Sequence, residues 1–267
     1  MTPQERRARF VALHEREDVF VMPNPWDVGS AKLLAGLGFE ALATTSAGFA
    51  WTIGKDDQQV TLDELVDHVA AVAAATDLPL NVDSERCFSD DLAGIADTVT
   101  RLHEVGAAGC SIEDYDPATG AIDPIDVAAE RVAAAAEAAH VAGDPMVLTA
   151  RCENHIYGID DFDDTIARLV AYRDAGADCV YAPGLSSTAA IRRVVDVVGL
   201  PVNVLALMTG PTVAEIGEAG GRRVSTGGSL ASTAYGAAMA GARELLEHGT
   251  SGYLATRLRS GDRAQLG

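Results

Sequence analysis

Eight short apolar runs, each followed by a longer stretch with helical spacing, set the strongest limit on how this chain can fold. The runs cover residues 19–23, 41–46, 79–83, 109–114, 146–151, 179–184, 201–206 and 223–228. They are nearly continuously apolar, as expected of parallel strands covered on both faces. Between them the spacing predicts helices over 27–37, 61–76, 90–105, 124–141, 160–175, 188–197, 212–219 and 230–248. Such alternation builds a parallel sheet with helical crossovers. The repeat runs from 22 to 38 residues, and eight units fill most of a 267-residue chain. That is the count and size of a (β/α)8 TIM barrel. An open doubly wound sheet also alternates, but no Gly-rich phosphate turn follows the first strand, and GxGxxG and Walker sequences are absent. The reading is therefore α/β, a single barrel domain over 1–267, with 249–267 a C-terminal extension that frays or packs on a neighbouring subunit.

The punctuation agrees. AGLGFEAL, HEVGAAGC, RDAGADCV and GEAGGRRV each stop a helix with Gly before a strand begins. Asp27, Asp160 and Asp161 stand where N-caps belong. The four cysteines are far apart with no CxxC pair, and no signal-peptide core or 18-residue apolar run occurs, so a cytoplasmic protein is expected. Asp plus Glu number 39 against 20 Lys plus Arg, a formal charge of −19. A surface this acidic repels phosphate backbones and anionic lipid, which argues against nucleic-acid and membrane partners. An anionic substrate then needs a local cationic site, either a metal or a well-placed Arg.

In a barrel, function collects at the C-terminal ends of the strands. Those ends carry Asp83 and Glu85; Glu113, Asp114 and Asp116; and Arg151, Glu153, Asn154 and His155, with Asp56 and Asp57 in the loop after strand 2. Like charges held together are costly unless a proton or cation neutralises them. Oxygen-only donors point to Mg²⁺, with Mn²⁺ as a substitute. The same acids would serve equally as helix caps and solvated loop residues. Arg151 is a counter-ion for Glu113 or Glu153, a bidentate grip for a substrate carboxylate, or both. The turn Thr45–Ser46–Ala47–Gly48 can present backbone N–H groups to an anion. His155, Cys87, Tyr115 and Tyr157 are the candidates for a proton donor, and His155 sits at the rim as an acid/base group.

At PNPWDVGSAKLLAGLGFEALATTSAGFAW, NVDSER, SIED, TAR followed by CEN, and GGRRVSTGGSL, the chain resembles the isocitrate lyase/phosphoenolpyruvate mutase superfamily from about Phe20 to Leu246. The resemblance implies a barrel whose last helix is exchanged between subunits of a homodimer or homotetramer. It implies Mg²⁺ held largely through water by Asp56, Asp83, Glu85 and Glu113. It also implies that Thr45, Ser46 and Ala47 receive a 2-oxo acid carboxylate and that Arg151 binds the substrate's anionic end. Isocitrate and methylisocitrate lyases carry a Lys-Lys-Cys-Gly-His loop after strand 4. The corresponding DYDPATGAID here has no Cys, Lys or His, and strand 7 ends in NVLALMTG. The function implied is a Mg²⁺-dependent carbon–carbon lyase acting on a small 2-oxo or 2-hydroxy di- or tricarboxylic acid through an enolate. Glu113, Arg151 and His155 would be its catalytic groups. The alternatives are phosphoenolpyruvate phosphonomutase or phosphonopyruvate hydrolase, oxaloacetate decarboxylase or hydrolase, and a non-catalytic 2-oxo acid binder.

Overall fold

Each of the eight expected strands is present in a computed structural model, which describes residues 1–266. In chain order the elements are α1 (Pro3–Glu15), β1 (Phe20–Met22), α2 (Val28–Gly36), β2 (Leu42–Ala43), α3 (Ser46–Thr52), α4 (Leu62–Ala75), β3 (Leu80–Asp83), α5 (Leu92–Glu104) and β4 (Gly109–Glu113). A hairpin, β5 (Tyr115–Asp116) and β6 (Ala121–Ile122), leads to α6 (Ile125–Ala139) and β7 (Val147–Arg151). Then come α7 (Phe162–Asp174), β8 (Cys179–Tyr181), α8 (Thr188–Val198), β9 (Val202–Leu205), α9 (Val213–Glu218), β10 (Arg223–Ser225) and α10 (Ser229–His248). Two 3₁₀ turns, Gly252–Thr256 and Ala264–Leu266, flank α11 (Ser260–Arg263).

The parallel strands follow the order β1-β10-β9-β8-β7-β4-β3-β2. The two ends of this sheet meet: Ala43 N–H donates to the Pro23 carbonyl at 3.1 Å, and Asn24 Nδ2 to the Thr44 carbonyl at 2.7 Å. The (β/α)8 barrel is thus nearly closed. Helix starts are fixed by side chains. Thr61 and Thr212 form capping boxes with Glu64 and Glu215, and Asp27, Asp91 and Asp161 accept from the third helical N–H. Each such cap contributes about 1 kcal/mol. Asp160, also expected as a cap, lies one residue outside. Gly106 and Gly176 follow α5 and α7 with φ of +96° and +103°, a region that side-chain-bearing residues avoid.

Apolar faces of the helices close on the outside of the strands through Val69, Val72, Ile95, Leu102, Leu169 and Ile191. The bottom of the barrel is plugged by α1, which the strand–helix alternation does not announce. Its Phe10 and Leu13 pack with Phe20 and Met22. Its buried arginines satisfy carbonyls at helix ends: Arg6 donates to those of Ala73 and Thr76, Arg7 to those of His103 and Ala107. The sequence cue was Thr2-Pro3 with Glu5, a capping box with Pro at the first helical position.

Two features depart from the sequence reading, and a third bears on the expected exchange of the last helix without testing it. The strands are not apolar on their inner face, where Asn81, Ser111, Thr149, Asn203 and Arg223 point into the barrel. The segment after α10, expected to fray or reach a neighbour, turns back so that Lys32 Nζ donates to the Leu266 carbonyl at 3.1 Å. The last helix stands off its own barrel: only Ala231 and Gly241 of α10 are buried, while Tyr235, Met239, Leu245 and Leu246 are exposed. Among the described residues no helix is long and apolar enough to cross a membrane.

Candidate active site

Parallel register places the key side chains side by side. Asp83 ends β3, while Glu113 on β4 pairs directly with Arg151 on β7. Arg151 lies at the centre of an acidic ring. Its Nη1 is 2.6 Å from Asp83 Oδ1, its Nη2 3.2 Å from Glu113 Oε2, and its Nε 2.8 Å from Glu153 Oε1. The guanidinium also lies 5.4 Å from the centre of the Tyr181 ring. Burial works against its charge, but Glu153, Asp83 and Glu113 outweigh that penalty and hold its pKa above the ordinary arginine value.

The acids' pKa values also rise, which for them disfavours the charged form. Burial raises Glu113 well above the carboxylate range although Arg151 opposes it, and Glu153 is raised for the same reason. Glu85 is pushed up to about 8, first by burial and then by the charges of Asp83 and Asp57. Asp57 is raised by burial and by Asp83. Five carboxylates therefore crowd one guanidinium.

Beside this ring lies a cavity of about 190 Å³ whose wall includes Thr45, Ser46, Ala47, Asp57, Asp83 and Arg151. The expected open turn at Thr45 is the start of α3: the Thr45 hydroxyl accepts from Gly48 N–H. Ser46 N–H donates to Asp83 Oδ2 at 3.0 Å, so this amide already serves a carboxylate. Asp83 is held further by its own N–H, which donates to Thr44 Oγ1 at 2.8 Å.

The structure brings together Thr45, Ser46, Ala47, Asp83 and Arg151 on this cavity, with Glu113 immediately behind Arg151. Glu85 faces an adjoining crevice with Gln58, Arg86 and Asp116. Asp56 and Asp57 are both exposed, but only Asp57 lines the cavity wall. His155 also lies off that wall. Its ring packs along Phe162, its Nε2 is buried without a partner among the described residues, and Ile156 takes the place facing the cavity. Cys87 is wholly buried and its thiol is pushed up to about 12, which makes it inert. Tyr115 and Tyr157 stack at 3.7 Å over the loops.

Gln58 was not singled out by the sequence. Its Nε2 donates to Glu113 Oε1 at 2.8 Å from a backbone at φ +64°. Glu85, Cys87 and Phe88 also have positive φ, at 47°, 60° and 54°, so strained backbone flanks the acids on two loops. No pattern in one sequence reveals such residues, since the φ is imposed by tertiary packing.

No group of three His, Cys, Asp or Glu side chains among the described residues forms a ready direct coordination shell. The donor chemistry nevertheless fits a hard divalent cation. Asp57, Asp83, Glu85 and Glu113 supply only oxygen, and burial and mutual repulsion raise Glu85 and Glu113, a cost that a bound cation would relieve. Such a cation would be held with waters between ion and carboxylates.

The sequence pattern of the phosphoenolpyruvate phosphomutase family matches residues 10–246. A crystal structure from Burkholderia cenocepacia J2315, provisionally assigned as a lyase/mutase, is 44% identical, with a TM-score of 0.94 over 98% of this chain and 95% of that one. An oxaloacetate decarboxylase of Paraburkholderia xenovorans (strain LB400) is 31% identical over 75% of this chain and 68% of its own length. A Corynebacterium glutamicum protein named probable 2-methylisocitrate lyase 2 is 30% identical over 78% and 68%.

Proposed function

Because this chain belongs to the phosphoenolpyruvate phosphomutase family, within the phosphoenolpyruvate mutase/isocitrate lyase superfamily, we propose that it is a divalent-metal-dependent carbon–carbon lyase acting on a small 2-oxo or 2-hydroxy di- or tricarboxylic acid. The observation that carries this reading is the Asp83–Arg151–Glu113 cluster opening on a polar cavity beside Ser46 N–H. The similarity to enzymes named lyase and decarboxylase supports it.

Asp83, Glu85 and Glu113 would hold the metal, with Asp57 rather than Asp56 as the loop acid, because Asp57 is the one facing the cavity. Mg²⁺, or Mn²⁺ in its place, supplies a Lewis acid for the carboxylate and carbonyl oxygens of the substrate when bound. The chain's own groups do the rest. Backbone amides at Ser46 and Ala47 receive the substrate carboxylate in competition with Asp83. Arg151 donates to the oxygen that gains charge as the carbon–carbon bond breaks and the enolate forms. Glu113 and Glu153 hold the guanidinium plane for that task, and Gln58 holds Glu113. His155, behind Ile156, supports the loop rather than touching substrate.

The family pattern itself favours a second reading, carbon–phosphorus chemistry on phosphoenolpyruvate or phosphonopyruvate. We further propose a cytoplasmic homodimer or homotetramer in which α10 is exchanged, as the exposed Met239 and Leu246 support. The experiment is a panel of 2-oxo, 2-hydroxy and phosphono acids with Mg²⁺, read by pyruvate and glyoxylate release and by ³¹P spectroscopy. Turnover of a carboxylate that is lost in Asp83→Asn supports the lyase. A phosphorus product without carboxylate cleavage favours the second reading, and tight binding without turnover shows a 2-oxo acid binder.

A further inference from the structure

The lining of the same cavity extends down β10 from Ser225 to Arg223. This residue is 1% exposed, the largest fully buried side chain in the molecule. Each of its nitrogens meets a neutral acceptor. Nε donates to Asn203 Oδ1 at 2.9 Å, Nη1 to His14 Nε2 at 3.0 Å and Nη2 to Thr149 Oγ1 at 2.9 Å. His14 is the neutral imidazole here, because its Nδ1 faces the Phe10 carbonyl at 2.8 Å and so carries the proton, while its Nε2 must be free of one to accept from Arg223.

No carboxylate among the described residues pairs with Arg223. This departs from a strong rule: a buried charge is costly unless an opposite charge accompanies it, and an arginine cannot shed its proton to escape that cost. The contrast with Arg151 is direct. Both line one cavity, yet Arg151 meets three carboxylates and Arg223 none. The walls between them are polar, with Asn81, Ser111, Thr149 and Ser225 in place of the branched apolar residues that usually fill a barrel. Asn81 Oδ1 is buried there without a partner among the described residues.

We propose that the cavity floor is a second anion site, in which Arg223 pairs with the far carboxylate of a dicarboxylic 2-oxo acid whose 2-oxo end lies at Asp83 and Ser46. This rests on the 2-oxo acid reading above and narrows it to substrates with an anion at both ends. Monocarboxylates of equal length fill the same space and leave the guanidinium unpaired.

Oxaloacetate and 2-oxobutyrate differ only in a terminal carboxylate against a methyl group, so their affinities for the Mg²⁺-loaded protein, or KM where one is turned over, isolate that end. The wild type should prefer oxaloacetate by about 10- to 100-fold, the value of a charged hydrogen-bonded contact. Arg223→Gln should reduce the preference to about twofold while leaving 2-oxobutyrate nearly unchanged. Asn81→Leu makes the wall of the floor apolar without touching the guanidinium, should weaken oxaloacetate more than 2-oxobutyrate, and decides the matter if Arg223→Gln does not fold. Without metal, malonate should raise the melting temperature of the wild type more than propionate does. Equal affinity for the two oxo acids in the wild type, or equal loss of both in the folded variants, overturns the assignment. Absence of all 2-oxo acid binding alongside a malonate effect that Asn81→Leu abolishes would sink the lyase reading and leave the floor site standing.

Discussion

Arg151 Nη1 lies 2.6 Å from Asp83 Oδ1, a short ion pair that joins β7 to β3 across the intervening β4. The same Asp83 carboxylate accepts from Ser46 N–H through its other oxygen. One acid thus engages both the guanidinium and the amide proposed to contact substrate. Whatever draws Asp83 away releases a guanidinium and an amide together, so in the proposed site metal and substrate binding would be coupled through this side chain.

Removing the guanidinium tests that coupling. Arg151→Gln leaves Asp83, Glu113 and Glu153 facing one another without a cation, a loss of about 3–5 kcal/mol for broken buried pairs. A divalent cation should restore more stability to the variant than it adds to the wild type. Urea unfolding with and without Mg²⁺ measures both quantities, and equal gains in the two proteins would contradict the arrangement.

Gln58 offers a milder perturbation. Gln58→Ala removes its 2.8 Å hydrogen bond to Glu113 from a partly exposed loop. Turnover of whichever acid the panel identifies should fall on the order of tenfold. Stability should stay within about 0.5 kcal/mol, the usual range for surface changes. A large stability loss with unchanged turnover would assign Gln58 to the fold instead.

Acid sensitivity should come from two buried histidines. Burial, then the charge of Arg223, pushes His14 down to about 3, and burial pushes His68, stacked on Phe49 at 3.9 Å, down to about 4. Both bind a proton near pH 6.5 once unfolded. The unfolded chain therefore holds more protons between pH 6.5 and these lower values. The histidines' contribution to stability is full above 6.5 and declines as pH falls, by about 1.4 kcal/mol per pH unit for each. The raised carboxyls of Glu85 and Glu113 act in the opposite direction. His68→Phe should flatten that slope between pH 6.5 and 4 by the share of one group. An unchanged slope in a denaturant series across this window counts against the assignment.

Assembly should depend on the free face of α10. Met239 and Leu246 are 52% and 87% exposed. Met239→Glu with Leu246→Asp should shift sedimentation toward the monomer while the barrel's circular dichroism is kept, since neither side chain is buried in its own chain. An oligomer unaffected by both changes would place the interface elsewhere.

The barrel was legible because its signals are local. Gly106 and Gly176 stop helices, and Asp27, Thr61 and Thr212 start them. Apolar runs mark the strands. Asp83, Glu113 and Arg151 were legible as well, since strand ends in a parallel barrel share one rim. What escaped depends on tertiary context. Asp56 and Asp57 are adjacent and chemically alike, and only the loop's path decides which faces inward. His155 follows a strand end as Glu153 does, yet Ile156 occupies the cavity wall beside it. Arg223 reads as one basic residue in GGRRVS, and its burial emerges only when β10, β9 and β7 are set around it. The α1 helix was hidden by its charge, because Arg6 and Arg7 bind carbonyls of α4 and α5 rather than facing water.

Asp83 and its neighbouring acids are proposed to seat a divalent cation at the mouth of the barrel. Titration of Mn²⁺, followed by electron paramagnetic resonance of the unbound ion, compares the wild type with folded Asp83→Asn most directly. The account predicts one site per chain in the wild type, weakened on the order of a hundredfold in the variant, in line with the loss of a charged contact. Equal Mn²⁺ binding by the two proteins, or none by either, would contradict it.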